Sequence, residues 1–202
     1  MTSLSSRRLE QREKLLEAAY ALVAEVGIEG LRTRDISKRA GLNLAIFHYC
    51  FVSKDDLLRA LYQHIVTKFR AKTEHFLAEC PTPTDQLEGL LKLRVFLTQH
   101  MSEDLKVWRG FQGLSEHNAA VRELLKEHFI VQRERISEVL QQGIDRGEFN
   151  NLPNDDVRTT ASLVISLQNG MITQLGIDSN AFDPESYASA VFAWITGKPL
   201  RA

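Results

Sequence analysis

The chain has 202 residues, 25 Lys and Arg against 26 Asp and Glu, and 44% apolar side chains. Such a chain buries a sizeable core and is not intrinsically disordered, and no apolar run reaches the roughly 20 residues of a membrane span. The polar start MTSLSSRRLEQREK is no signal peptide, and two Cys without CxxC spacing point to a reducing cytoplasm.

The net charge of −1 is an average over two unlike parts. Residues 1–54 hold nine basic and six acidic side chains, and the remainder holds 16 and 20. A basic head on an acidic body suits a protein with one module facing a polyanion.

Taken in chain order, the apolar period is helical throughout. Leu15, Leu16, Ala18, Ala19, Leu22, Val23 and Val26 place a first helix over about 8–26, ended by Gly27. A short second helix covers 33–40, with Thr33 available to cap it. Gly41 supplies a left-handed turn, and Asn43 caps a third helix running to about Cys50. Ser53 caps a fourth helix that ends near residue 79, ahead of Pro81. Further helices fall at about 84–101, 103–116, 118–146, 154–176 and 183–196, with Asn150, Asn151 and Pro153 as a loop. No stretch alternates as a strand does. The chain reads as all-α with about nine helices. Residues 1–54 form a three-helix head and 55–202 a helical body, with the helix at about 54–79 linking the two.

Short helix, Gly turn, short helix, behind a packing helix, is helix-turn-helix architecture, in which the second short helix offers its N-terminal residues to the major groove. Residues 12–58 resemble the DNA-binding domain of the TetR family of one-component repressors. The resemblance rests on Leu16-Glu17-Ala18-Ala19, Gly27, Arg34-Asp35-Ile36, Ala40-Gly41, Phe51 and Ser53-Lys54 before Leu57-Leu58. Gly143 with Gly147-Glu148-Phe149, and Leu167-Gln168-Asn169-Gly170-Met171, resemble the branch that includes choline-responsive repressors.

The resemblance implies a DNA-facing set. Asn43, Leu44 and Ala45 start the recognition helix, His48 and Tyr49 follow on it, and Thr33 and Arg34 belong to the helix before it. Lys54 stands where a phosphate-binding Lys begins the fourth helix, and Arg7 and Arg8 resemble a basic N-terminal arm. The recognition helix carries no Lys, Arg or Gln for bidentate base contacts. Reading therefore falls to Asn43, Tyr49, apolar contact with thymine methyls, and DNA shape.

The resemblance also implies a homodimer on a pseudo-palindromic double-stranded DNA operator, released by a small, largely apolar effector bound in the body. Phe69, Phe76, Phe96, Met101, Trp108, Phe111, Phe129, Met171 and Ile172 are candidates to line its site. His100, Gln112, Ser166, Gln168 and Asn169 are candidates to orient the ligand. Aromatics at helical spacing are usually plain core. Thr159, Ser162, Ile165 and Ser166, with Tyr187, Val191, Phe192 and Trp194 on the last helix, are the candidate dimer face.

Six scattered His form no metal-ligand spacing, and no nucleophile-base pair or phosphate-cradling loop suggests an enzyme or a cofactor. The competing reading is a helical ligand-binding or protein-interaction module with degenerate, non-specific DNA binding.

Overall fold

The computed structural model describes residues 4–149, 152 and 157–197, the side chains of residues 4 and 5 excepted. Among these residues the chain forms nine helices and no strand. They are α1 (Leu4–Val26), α2 (Thr33–Arg39), α3 (Leu44–Cys50), α4 (Lys54–Leu77), α5 (Pro83–His100), α6 (Ser102–Leu114), α7 (Ala119–Asp145), α8 (Val157–Ile177) and α9 (Pro184–Thr196). The all-α expectation therefore holds. α1 starts about a turn before the expected residue 8, since the polar run before Leu9 carries no helix breaker. The first residues expected in α8, 154–156, and the loop residues Asn150, Asn151 and Pro153 lie outside the described residues.

The helices gather into two compact units. One comprises the chain up to Lys68 together with Lys106–Lys126; the other comprises Phe69–Leu105 and the chain from Glu127 on. The head expected at 1–54 thus lies within a larger unit, and α4 contributes to both.

In the first unit α1, α2 and α3 pack on one another around Leu15, Ala19, Ile36, Phe47 and Phe51, none more than 2% exposed. The start of α4 adds Leu57, Leu58 and Leu61. Phe111 of α6 meets Tyr62 of α4 edge-on at 5.8 Å, and the Tyr62 hydroxyl donates to the Leu124 carbonyl at 3.0 Å. That buried hydroxyl is satisfied, so the aromatic pair adds apolar contact without a desolvation penalty.

In the second unit Leu87, Leu91 and Val95 of α5, Ile136 and Leu140 of α7, Val164 and Ile165 of α8, and Val191, Phe192 and Ile195 of α9 form one core. Its helix ends are set by sequence. Thr82 accepts the Asp85 N–H ahead of α5, Asp183 accepts the Ser186 N–H ahead of α9, and each helix has Pro in its first turn. After α7, left-handed Gly147 (φ 68°) turns the chain back so that the Glu148 and Phe149 N–H groups both donate to the Gly143 carbonyl, at 2.8 and 3.2 Å. The Phe149 ring lies against the Gly143 backbone, in space a β-carbon would fill. Glu148 then accepts both the N–H and the hydroxyl of Thr84, at 3.0 and 2.6 Å, in the first turn of α5. A carboxylate is favoured there by the helix dipole.

Candidate nucleic-acid interface

The turn between α2 and α3 is fully hydrogen-bonded. Gly41 is left-handed (φ 67°), its N–H donates to the Lys38 carbonyl at 3.2 Å, and the Leu42 N–H donates to the Ser37 carbonyl at 2.9 Å. This pair of bonds is a Schellman motif, and the conformation it needs is one that glycine adopts without a β-carbon penalty. Asn43 then opens α3, its side-chain oxygen accepting the Ile46 N–H at 2.9 Å. Thr33 does not cap α2. The capping position falls on Arg32, which makes no side-chain cap, and Thr33 is already helical, its carbonyl accepting the Ser37 hydroxyl at 2.9 Å.

α3 divides by depth. Phe47 and Cys50 turn inward, Leu44 and Ile46 are half-buried, and Asn43, Ala45, His48 and Tyr49 are exposed. The Tyr49 ring, 56% exposed, sits 5.0 Å from the Arg8 guanidinium carbon, so the start of α1 and the recognition helix share one surface. Inside the same corner the Cys50 thiol lies 3.9 Å from the Arg8 carbonyl, and burial pushes its pKa up despite the nearby Arg8 and Arg12.

The cations of the head fall into two groups. Arg39 grips Glu25 through two 2.6 Å bonds, which lower the Glu25 pKa and raise that of Arg39. Arg12 reaches Asp56 at 3.3 Å and lies over the Phe51 ring at 4.6 Å. Asp56 also accepts the Val52 N–H, while its own N–H donates to the Ser53 hydroxyl, so the start of α4 is closed from both sides. Arg7, Arg8, Arg34 and Lys54 are exposed and pair with no carboxylate among the described residues. These four are open to phosphate, as are the exposed and unpaired Lys14, Arg32 and Lys38. Lone charges and aromatics on short helices gave no way to tell the two groups apart from sequence.

The candidate ligand residues are distributed over both units. Trp108, Phe111 and Gln112 belong to the first, where Trp108 and Phe111 are 3% and 0% exposed and packed as core. Phe69, Phe96 and Phe129 are half-buried in the second. Phe96 meets Phe76 at 5.6 Å and His100 at 4.8 Å, with the Lys72 ammonium 5.4 Å from its ring. His100 itself is exposed, Asn169 is half-buried, and exposed Ser166 returns its hydroxyl to the Ser162 carbonyl.

Of the candidate dimer residues, Ile165 and Phe192 are withdrawn into the core of their own unit. Thr159 and Ser166 are exposed, and the Ser162 hydroxyl accepts from Arg133 at 2.9 Å. Sequence reasoning missed Leu163, which is 45% exposed; Trp194 on α9 is 48% exposed. Spacing alone could have placed Leu163 on the same stripe as Thr159 and Ser166. No three His, Cys, Asp or Glu side chains converge into a metal site among the described residues.

A helix-turn-helix with unpaired cations around its exposed recognition helix, carried by a helical body, defines a DNA-binding regulator. The sequence profile of the tetR family of bacterial regulatory proteins matches residues 15–61, and that of the BetI-type transcriptional repressor C-terminal part matches 83–197. The chain belongs to the TetR family, in its BetI-type branch. It is 24% identical over 195 residues to the HTH-type transcriptional regulator BetI of Pectobacterium carotovorum subsp. carotovorum (strain PC1), covering 92% of each chain. It is also 24% identical over 108 residues to the regulator PksA of Bacillus subtilis (strain 168), over 54% of this chain and 53% of that one. A TetR transcription regulator from Haloarcula marismortui shares the fold with a TM-score of 0.82 at 19% identity, covering 95% of this chain and 99% of that one. A regulator from Saccharomonospora viridis, solved in complex with choline, does so with a TM-score of 0.81 at 22% identity, covering 96% and 100%. These relatives are transcriptional regulators, and no described helix is long and apolar enough to cross a membrane.

Proposed function

We propose that the chain is a cytoplasmic repressor that binds a pseudo-palindromic operator as a homodimer and leaves it when a small effector binds the body. DNA contact is assigned to residues up to 54, and effector binding and dimerisation to the rest. The observation that carries this reading is the contrast among the head's cations. Arg12 and Arg39 are committed to carboxylates, whereas Arg7, Arg8, Arg34 and Lys54 remain exposed and unpaired, with Arg8 beside Tyr49 of the recognition helix. Phosphates are the partners such cations lack.

One head reads a short half-site, so pairing by a twofold axis supplies both affinity and specificity. Thr159, Leu163 and Ser166 on α8, with Trp194 on α9, present the exposed slim and apolar surface suited to that pairing. The effector reading draws on the BetI-type body and on the Saccharomonospora viridis relative solved with choline.

The test is a gel shift on DNA upstream of the protein's own gene. Selective retardation, weakened by Lys54→Ala and His48→Ala at fixed salt, is expected. The half-buried Leu44 and Ile46 and the lack of Lys and Arg on α3 favour the competing reading of non-specific binding. That reading predicts weak retardation of any DNA, lost at modest salt.

A further inference from the structure

Arg94 lies on α5 between Leu93 and Val95 and within one turn of Leu91 and Leu97, all 7% exposed or less. Its guanidinium makes a single hydrogen bond among the described residues, from Nη2 to the side-chain oxygen of Gln168 on α8, at a long 3.4 Å. No described carboxylate comes within ion-pair distance of it. Gln168 is 4% exposed, so the one dipole facing the cation is itself withdrawn from water.

The neighbours deepen the imbalance. His128 on α7 has its pKa driven down to about 4, by burial first and by the Arg94 charge second, so it is neutral at physiological pH. Burial brings Arg94 itself down to about 10, which leaves it protonated. Yet Arg94 and His128 both retain accessible surface, unlike the core residues beside Arg94. Strong desolvation with partial accessibility marks both side chains as recessed on their helices, not fully solvated. Half-buried Leu90, Phe129 and Leu167, on the same three helices, stand one turn or one residue from Arg94, His128 and Gln168.

A buried cation without an anion is held at a large desolvation penalty, and the usual remedy is a carboxylate partner. This chain supplies an amide and a neutral ring instead. We infer that Arg94, oriented by Gln168, is the recognition point for an organic monoanion, a carboxylate on an apolar chain, that binds between α5, α7 and α8. The bound carboxylate takes the two-pronged contact the guanidinium leaves open, and the Gln168 amide nitrogen is placed to donate to the same group. A quaternary ammonium would meet like charge there. The inference rests on the proposed role of the body as the effector-binding part and names the chemistry of its ligand.

The test uses the full chain, with octanoate, octanamide and choline as probes in calorimetric titration and thermal melting. Octanoate is expected to bind and raise the melting temperature, octanamide to bind at least thirtyfold more weakly, and choline to have no effect. Arg94→Met should lose octanoate binding by a similar factor while its own melting temperature holds or rises, since the unpaired charge is gone. Gln168→Glu is the second variant. It places an acid at the one partner Arg94 has, and should stabilise the empty protein while abolishing octanoate binding. Binding of choline in place of carboxylates from butanoate to dodecanoate overturns the inference. So do octanoate binding that survives both variants and a Gln168→Glu protein that melts lower and still binds. Operator retardation is measured separately. Its absence, with octanoate binding intact, sinks the repressor reading and leaves the anion site standing.

Discussion

The side-chain oxygen of Asn43 accepts the Ile46 backbone N–H at 2.9 Å, so the candidate base-reading residue just before α3 is also the cap of that helix. What remains of Asn43 for DNA is its amide NH2, a pure donor. Asn43→Ala should destabilise the protein by about 1 kcal/mol and also weaken operator binding. Asn43→Asp keeps the cap but replaces a donor with negative charge. It should hold its urea midpoint and still lose DNA affinity. Equal loss of stability in both variants would refute the cap.

The two groups of head cations make separate predictions for salt dependence. Arg8→Ala and Lys54→Ala should each reduce the slope of log K against log salt by about one. Arg12→Ala and Arg39→Ala should leave that slope nearly unchanged, because those side chains already face Asp56 and Glu25. Titrating operator binding at several salt concentrations distinguishes the sets. A uniform change in slope across all four would contradict the pairing seen in the structure.

Gly143 is a steric requirement rather than a flexible point. A methyl group at this position meets the Phe149 ring, which is 2% exposed and seated in the core of its unit. Gly143→Ala should cost about 2–3 kcal/mol and lower the melting temperature by roughly 5–10 °C. In a Phe149→Ala background the same substitution should be close to neutral, a coupling that a double-mutant cycle measures directly.

His128 makes stability depend on pH in a defined direction. The unfolded chain takes up a proton on this ring near its ordinary 6.5, whereas the folded protein resists until about 4. Between those values the unfolded state holds more protons, so acidification destabilises the native state, by roughly 3 kcal/mol at most from this group. His128→Gln should flatten the fall of urea stability between pH 6.5 and 4. Parallel curves for the two proteins would show that the ring is not held neutral by its surroundings.

The helices were legible because their punctuation is local. Asn43 caps α3 and Gly41 turns left-handed where the sequence places them, while Thr82 with Pro83 starts α5 one residue before the expected 84. Thr33 misleads because one residue of register separates a cap from a first helical turn. The body was harder for a different reason. Helical spacing gives Trp108 and Phe111 the same pattern as Phe96 and Phe129, and only packing separates core rings from half-buried ones. Gln168 stood out as a polar residue, but Arg94 and His128 lie 74 and 40 positions before it, and nothing in the spacing links the three.

The chain's two sulfhydryls mark different territories. Cys50 closes the recognition helix at 1% exposure, while Cys80, in the other unit, is partly accessible and donates to the Phe76 carbonyl at 3.2 Å. Burial lifts both above the ordinary thiol pKa, and at Cys80 the acids Asp85, Glu88 and Glu79 add to the lift. A thiol reagent reaches Cys50 only when the corner around Phe47 and Phe51 breathes open. The protein therefore carries its own stopwatch: Cys50 labelling times the opening of the reading head, and Cys80 keeps a separate count for the other half of the molecule.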